Sequence, residues 1–320
     1  TVALEENESQ HELPKFVDNP PMTLDDNLKY EVIELSGKIP LIASSFDNMT
    51  SSTIGVAMRM DVIPERDLVY VPFLSSVLTR IGVTKDGEVL NFEEMQSRLR
   101  HELYGLDVYF DNNMSTGRIE LVVRGAANTR EEIPNVLSWM EACLSDPLLT
   151  ESNLPRMLDI IDQSLVWMRQ TMKGGEESWV DNPTDAYKSQ TNPLYLSTSS
   201  FLTSVHHLQR LRWLLTDPGN RKARNNLEGF LEYLEEAGKG KNREELIALL
   251  DSEPTYDIRE ENNDIVKRIV QELKVTLSEI PDPNLESDWA YLCEEIGEDI
   301  EEKPEETLES FKRIIRLLQK

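Results

Sequence analysis

The sequence has few of the residue types from which catalytic centres and disulfide frameworks are built. Its 320 residues include two cysteines and four histidines, and aromatic residues make up 7%. Cys143 and Cys293 lie far apart, each in an apolar helical pattern, so the pair by itself forms neither a disulfide framework nor a thiolate metal site. This cysteine usage predicts a reducing location, either the cytoplasm or an organelle matrix.

Basic residues and long hydrophobic runs are also scarce. The chain has 33 Lys and Arg against 59 Asp and Glu, a formal net charge of -26. Such a surface repels phosphate backbones and anionic lipids, so we expect neither nucleic acid nor membrane as a partner. No apolar run approaches the roughly 20 residues that span a bilayer. The charge favours solubility, and it would also attract a basic peptide.

The order of the predicted elements indicates an α+β fold. A polar, proline-punctuated lead-in covers residues 1–26, and the chain starts at Thr1 rather than Met, so we expect it to begin in mid-protein. Because strands and helices do not alternate, we predict a mostly antiparallel sheet with helices on one face. The first three predicted strands form a meander and the last two a hairpin: Tyr30–Leu35, Lys38–Phe46, Thr53–Asp61, Gly105–Asn113 and Arg118–Ala127.

From Thr129 onwards the hydrophobic spacing predicts helices alone. Leu154–Met172 has a strong helical pattern, and helices at Ser178–Ser189 and Leu196–Leu215 are expected to follow. Asp217-Pro218-Gly219 is the sharpest break, and acid-rich amphipathic segments lie beyond it. We therefore predict an α+β domain at residues 27–217 and an acid-rich helical region at residues 218–320.

Metal-ligand spacing is absent from the sequence. Neither H-x-x-E-H nor H-E-x-x-H occurs, and the position four residues after His101 is Gly105. His206 and His207 are adjacent, so on a helix they point about 100° apart and do not easily share one metal. We expect no cofactor in this chain, with His101 at the surface and the pair divided between one partly buried and one exposed histidine.

The candidate nucleophiles and the glycine pair have simpler structural interpretations. The hydroxyl cluster at residues 197–200 lacks a G-x-S-x-G motif, and we predict that it caps the helix containing Phe201. Cys143 is expected to be a buried thiol. Gly174-Gly175 lacks phosphate-loop spacing and predicts a helix stop or a hinge. We assign no catalytic residue.

A basic cluster stands out in this acidic chain. Its side chains are candidate contacts for a peptide carboxylate or for a neighbouring domain. The favoured alternative is internal pairing with the acids that follow in sequence, Glu228, Glu232, Glu235 and Glu236. The cluster consists of Arg210, Arg212, Arg221, Lys222 and Arg224.

Three long segments carry a resemblance to a known family. They are SSTIGVAMRMDVIPERDLVYVPFLSSVLTRIGV (51–83), FEEMQSRLRHELYGLDVYFD (92–111) and NTREEIPNVLSWMEACLSDPLLTESNLPRMLDIIDQSL (128–165). With the proline-rich lead-in and first hairpin, they resemble the non-catalytic third domain of pitrilysin/insulinase metallopeptidases, in the presequence-protease branch. The resemblance covers Leu13 to Asp217. It departs from the family at Gly105, which stands alone where a Gly-Gly pair is usual.

The resemblance implies a function and a set of partners. Members of that family close two bowl-shaped halves around a peptide, and an inverted H-x-x-E-H helix in the first domain binds zinc. The third domain forms part of the chamber wall. The resemblance therefore implies a non-catalytic wall domain of a zinc metallopeptidase that degrades short unstructured peptides, with zinc in the catalytic half of the parent protein.

Its expected partners are the remaining domains of that parent and the peptide substrate. Separated from those domains, the chain would expose apolar area, so we also expect it either to self-associate or to fold its acid-rich tail back over that area. The alternative is a stand-alone, non-enzymatic interaction scaffold with the same fold, because fold alone does not decide function.

Overall fold

The computed structural model describes residues 30–46, 51–113, 115–172, 184, 187 and 190–320. The chain divides into two compact units, Thr1–Met49 and Thr50–Lys320. The predicted lead-in at residues 1–26, the Gly174-Gly175 pair and most of the predicted helix Ser178–Ser189 lie outside the described residues.

The described part of the first unit is a β-hairpin. Strands β1 (Tyr30–Leu35) and β2 (Ile39–Ser44) pair antiparallel, with Leu35 opposite Ile39. Gly37 and Lys38 have φ of 83° and 63°, so the chain makes a tight turn between the two strands. Every residue of both strands is exposed.

The second unit contains a three-stranded antiparallel sheet of order β3-β7-β6, built from Ser52–Arg59, Arg118–Ala127 and Gly105–Asn113. The α+β class is confirmed, and the β6–β7 hairpin lies as predicted. The predicted meander is wrong, because β1 and β2 form a two-stranded sheet of their own, and β3 is an edge strand that pairs with β7. Strand β7 is buried from Ile119 to Val123, so its apolar run takes the central position. That the helices cover one face stays a prediction.

Local geometry explains two further differences from the predicted elements. A short hairpin, β4 (Val83–Lys85) and β5 (Glu88–Leu90), was not predicted, because each strand has too few residues to show a period. The predicted helix Leu196–Leu215 is broken at Ser200, which has extended backbone and caps the second part by accepting from the Thr203 amide. The predicted capping role of the hydroxyl cluster is thus confirmed.

Helices make up most of the remaining described chain, preceded by a 3-10 segment at Glu65–Phe73 that contains Pro72. In chain order they are α1 (Leu74–Arg80), α2 (Phe92–Glu102), α3 (Ile133–Ser145), α4 (Leu154–Met172), α5 (Pro193–Ser199), α6 (Phe201–Leu214), α7 (Arg221–Gly238), α8 (Arg243–Asp251), α9 (Asn263–Leu277), α10 (Leu285–Glu301) and α11 (Pro304–Leu318).

The second unit holds two hydrophobic cores. The first joins the three-stranded sheet to α1, α3, α4, α6 and α11, and the second lies among α7 to α10. Helix α3 approaches the sheet closely at Gly125, where a Cβ would lie 2.2 Å from Val136 Cγ1. Because α11 contributes buried residues to the first core, this last helix packs with residues that precede position 218. Separability of the whole region 218–320 stays a prediction.

Candidate functional site: the ionic seam between the two cores

Two helices from different cores present polar side chains to each other at helical spacing. Helix α6 carries His206 and Arg210, four residues apart. Helix α10 carries Tyr291, Glu295 and Asp299, each four residues from the next. Side chains four positions apart lie on the same face of a helix, so each helix contributes a polar stripe to the contact.

The two stripes are joined by short charged contacts. Arg210 binds Asp299 in a bidentate manner, with Nη2 2.7 Å from Oδ1 and Nε 3.1 Å from Oδ2. His206 Nε2 lies 2.9 Å from both carboxylate oxygens of Glu295, and the Tyr291 hydroxyl donates to Glu295 Oε1 at 2.6 Å. Glu295 is 9% exposed and Asp299 2%, so both carboxylates depend on these partners.

Burial and pairing act in opposite directions on these groups. Burial raises the pKa of Asp299 to about 6, and the Arg210 guanidinium keeps the carboxylate ionised at neutral pH. The hydrogen bond from Arg210 to Asp299 in turn raises the pKa of Arg210. For Glu295, burial tends to raise the pKa, but the hydrogen bonds with His206 and Tyr291 outweigh it and the pKa is lowered. Burial, followed by the bond to Glu295, raises the pKa of Tyr291 to about 12.

A second group of ion pairs continues the contact between α4, α6 and α9. Arg212 bridges Asp162, at 2.9 Å, and Glu272. The Trp213 indole donates to Glu272 Oε1 at 3.3 Å. We call the whole layer the ionic seam. Its members are Asp162 and Arg169 on α4, His206, Arg210 and Arg212 on α6, Arg268 and Glu272 on α9, Glu279 in the turn after α9, and Tyr291, Glu295 and Asp299 on α10.

The predicted basic cluster is divided by the structure. Arg210 and Arg212 belong to the ionic seam, and Arg224 donates to the Glu301 carbonyl at 3.2 Å and to Asp217 at 3.4 Å. Arg221 and Lys222 are exposed at the start of α7, and within the described residues they form no ion pair. Internal pairing thus occurs at three positions, with partners other than the four glutamates of α7. A contact with peptide or with another domain stays a prediction.

His101 and the two cysteines have structural roles in the described chain. His101 Nδ1 lies 2.7 Å from the Ser97 carbonyl on its own helix. Cys143 and Cys293 are buried, and burial raises the pKa of each thiol to about 12. Across the described ranges, no group of three or more His, Cys, Asp or Glu side chains could hold a metal ion.

No family model matches the sequence, and no curated protein matches it. The resemblance to pitrilysin-type metallopeptidases therefore rests on the three segments quoted above together with the lead-in and the first hairpin, and membership of that family stays a prediction. Among the helices in the described part of the chain, none is long and apolar enough to cross a membrane.

We expect His207 to make folding stability depend on pH. Burial, together with the charges of His206 and Arg210, lowers the pKa of His207 to about 4. Because the unfolded chain then binds the proton more tightly, stability is lost as pH falls below about 6.5, by about 2 kcal/mol at pH 5. Asp299, with its raised pKa, acts in the opposite direction over the acid part of this range.

Urea unfolding at pH 7.5 and pH 5 tests this expectation. The His207→Gln variant should lose about 2 kcal/mol less than the wild type between the two pH values. His101→Gln, at an exposed position, is the matched control and should leave the pH dependence unchanged. Equal losses in the wild type and in His207→Gln would show that His207 is not the titrating group.

Proposed function

We propose that this chain is a non-catalytic wall domain of a larger zinc metallopeptidase that degrades short unstructured peptides. The zinc and the catalytic residues belong to another part of the parent polypeptide. In support, the histidines 101 and 206, the seam carboxylates and the thiols are engaged in internal bonds or buried. The α+β fold with an antiparallel sheet is the one that the resemblance implies.

The observation that carries this proposal is the exposure of the first hairpin. Strands β1 and β2 expose both faces, although Tyr30, Val32, Ile33, Ile39 and Ile42 are large and apolar. A two-stranded hairpin is marginally stable by itself in water, and contiguous apolar patches on soluble monomers usually mark interaction sites. A sister domain of a closed chamber would cover such a surface. The stand-alone scaffold is the alternative that the next experiment distinguishes.

The test uses the native polypeptide from its source cells. Antibodies raised against the recombinant chain should purify a polypeptide much longer than 320 residues that cleaves unstructured peptides. A chelator should abolish cleavage and added zinc should restore it. The recombinant 320-residue chain is the control and should cleave nothing. A native polypeptide of the same length as this chain, without zinc-dependent cleavage, would contradict the proposal and favour the scaffold.

A further inference from the structure

Helices α7 to α10 form a lobe, Arg221–Glu301, that leaves and rejoins the rest of the second unit at neighbouring points. Its two connections are short, residues 215–220 and 302–303. Gly219 has φ of 86°, a conformation that glycine adopts without strain. Arg224 contacts both connections, through Asp217 of the first and the carbonyl of Glu301 beside the second. Paired short connections of this kind are suited to a hinge.

Several ion pairs join the lobe to helices α4 and α6 of the first core. Among the described residues, the buried apolar side chains of the lobe form a cluster separate from the first core, and Trp213 of α6 belongs to the cluster of the lobe. Interfaces between packed bodies that are polar in this way allow relative motion more readily than apolar ones. Four buried N–H groups of the seam have no hydrogen-bond partner among the described residues, namely Arg169 Nε and Nη2, Arg212 Nε and Arg268 Nη2. Two of them have only longer ionic contacts, Arg169 Nε with Glu279 at 3.4 Å and Arg268 Nη2 with Asp162 at 4.0 Å. Because an unmet buried donor costs free energy, hydration of the seam would offset part of the cost of opening it.

The charges on the two sides of the seam are opposite in sign. On α4 and α6, the charged side chains of the seam are Arg169, Arg210 and Arg212, with Asp162 the single acid, and His206 adds a charge only when it is protonated. The lobe contributes Glu272, Glu279, Glu295 and Asp299, with Arg268 the single base. In a chain of net charge -26, a basic face is thus covered by the chain's own carboxylates.

We propose that the lobe is an autoinhibitory lid that hides a binding face for an acidic peptide segment. The acidic side chains of α9 and α10 form ion pairs with the guanidinium groups of α4 and α6, as the carboxylates of a competing acidic ligand would. Opening at the two connections frees those guanidinium groups, whose planar, multiple donors match carboxylates. A Glu-rich peptide and the lobe therefore compete for the same face, and binding is linked to opening.

The test measures opening and binding in the full chain. Spin labels on Glu141→Cys and Glu253→Cys, both at exposed positions, report the distance between the body and the lobe. A fluorescent oligoglutamate reports binding by anisotropy. The Glu295→Gln/Asp299→Asn variant should add a longer distance to the distribution. It should also bind oligoglutamate about tenfold more tightly than the wild type, because its open fraction is larger.

Controls separate this mechanism from a general change in charge. Adding Arg210→Gln and Arg212→Gln to the opened variant should abolish the gain in affinity, whereas adding Arg221→Gln and Lys222→Gln should retain it. Glu279→Gln, at the rim of the seam, is a milder opening variant for use if the double variant does not fold. An unchanged distance in every folded opening variant would overturn the proposal. Oligoglutamate affinity that does not respond to Arg210 and Arg212 would also overturn it.

Discussion

Arg210→Met is expected to lower the free energy of unfolding by about 3 to 5 kcal/mol at neutral pH. The substitution removes the bidentate partner of Asp299 and leaves that carboxylate buried without its counter-charge. At pH 5 the loss should be smaller, because Asp299, with its pKa already raised to about 6, can then be protonated. Urea unfolding at pH 7.5 and pH 5 measures both effects.

A second substitution separates the free-energy cost of leaving Asp299 unpaired from the net contribution of the Arg210–Asp299 pair to stability. Arg210→Met/Asp299→Leu should recover most of the lost stability, because replacing a buried ion pair by apolar residues is often nearly neutral. Arg221→Met, at an exposed position, should change stability by less than about 0.5 kcal/mol. A small effect of Arg210→Met, or no recovery in the double variant, would show that Asp299 does not depend on this pair.

Phe311→Ala is expected to destabilise the chain by about 3 to 5 kcal/mol, the range for removing a buried aromatic side chain. Phe311 is fully buried near the C-terminus, with its ring centroid 5.1 Å from that of Tyr70 and 6.0 Å from that of Phe73. Arg313, on the same helix, pairs with the buried Asp67 at 2.7 Å. Helix α11 thus completes the first core.

Hydrogen exchange of individual segments checks where this loss occurs. In Phe311→Ala, protection should fall in α11, in the 3-10 segment Glu65–Phe73 and in strand β7, more than in α7 to α10. The exposed Arg316, on the same helix, supplies the control Arg316→Ala, with an expected change within about 0.5 kcal/mol. Loss of protection confined to α7 to α10 would be incompatible with the position of α11 in the first core.

Several elements of secondary structure could be predicted from residue patterns. The β6–β7 hairpin, helix α4 and the cap at Ser200 were predicted where the structure has them, because each depends on neighbours within a few residues. The pairing of the strands could not be predicted from such local patterns. The alternation in β3 specifies a half-buried strand, and many partners satisfy it equally, so its pairing with β7 required the whole sheet.

For the ionic seam, too, the sequence identified some of the residues but not their partners. Arg210 and Arg212 were singled out as charges that need a partner, but the acids nearest in sequence were the wrong candidates. A signal for the true partners was present in α10, where Glu295 and Asp299 adjoin the apolar Ile296 and Ile300. Carboxylates that interrupt an apolar face predict a buried pair, although they do not name the partner.

The sequence by itself determined the α+β class, the acidic composition, the β6–β7 hairpin and the bounds of helix α4, since composition and short-range periodicity are sufficient for these. Only the tertiary structure decided that α11 returns to the first core and that the basic cluster is divided. It also decided that carboxylates some 50 to 90 residues away complete the ion pairs of Arg210 and Arg212. The physical reason is that a buried charge requires a partner in space, and chain folding, not sequence distance, sets which carboxylate arrives there.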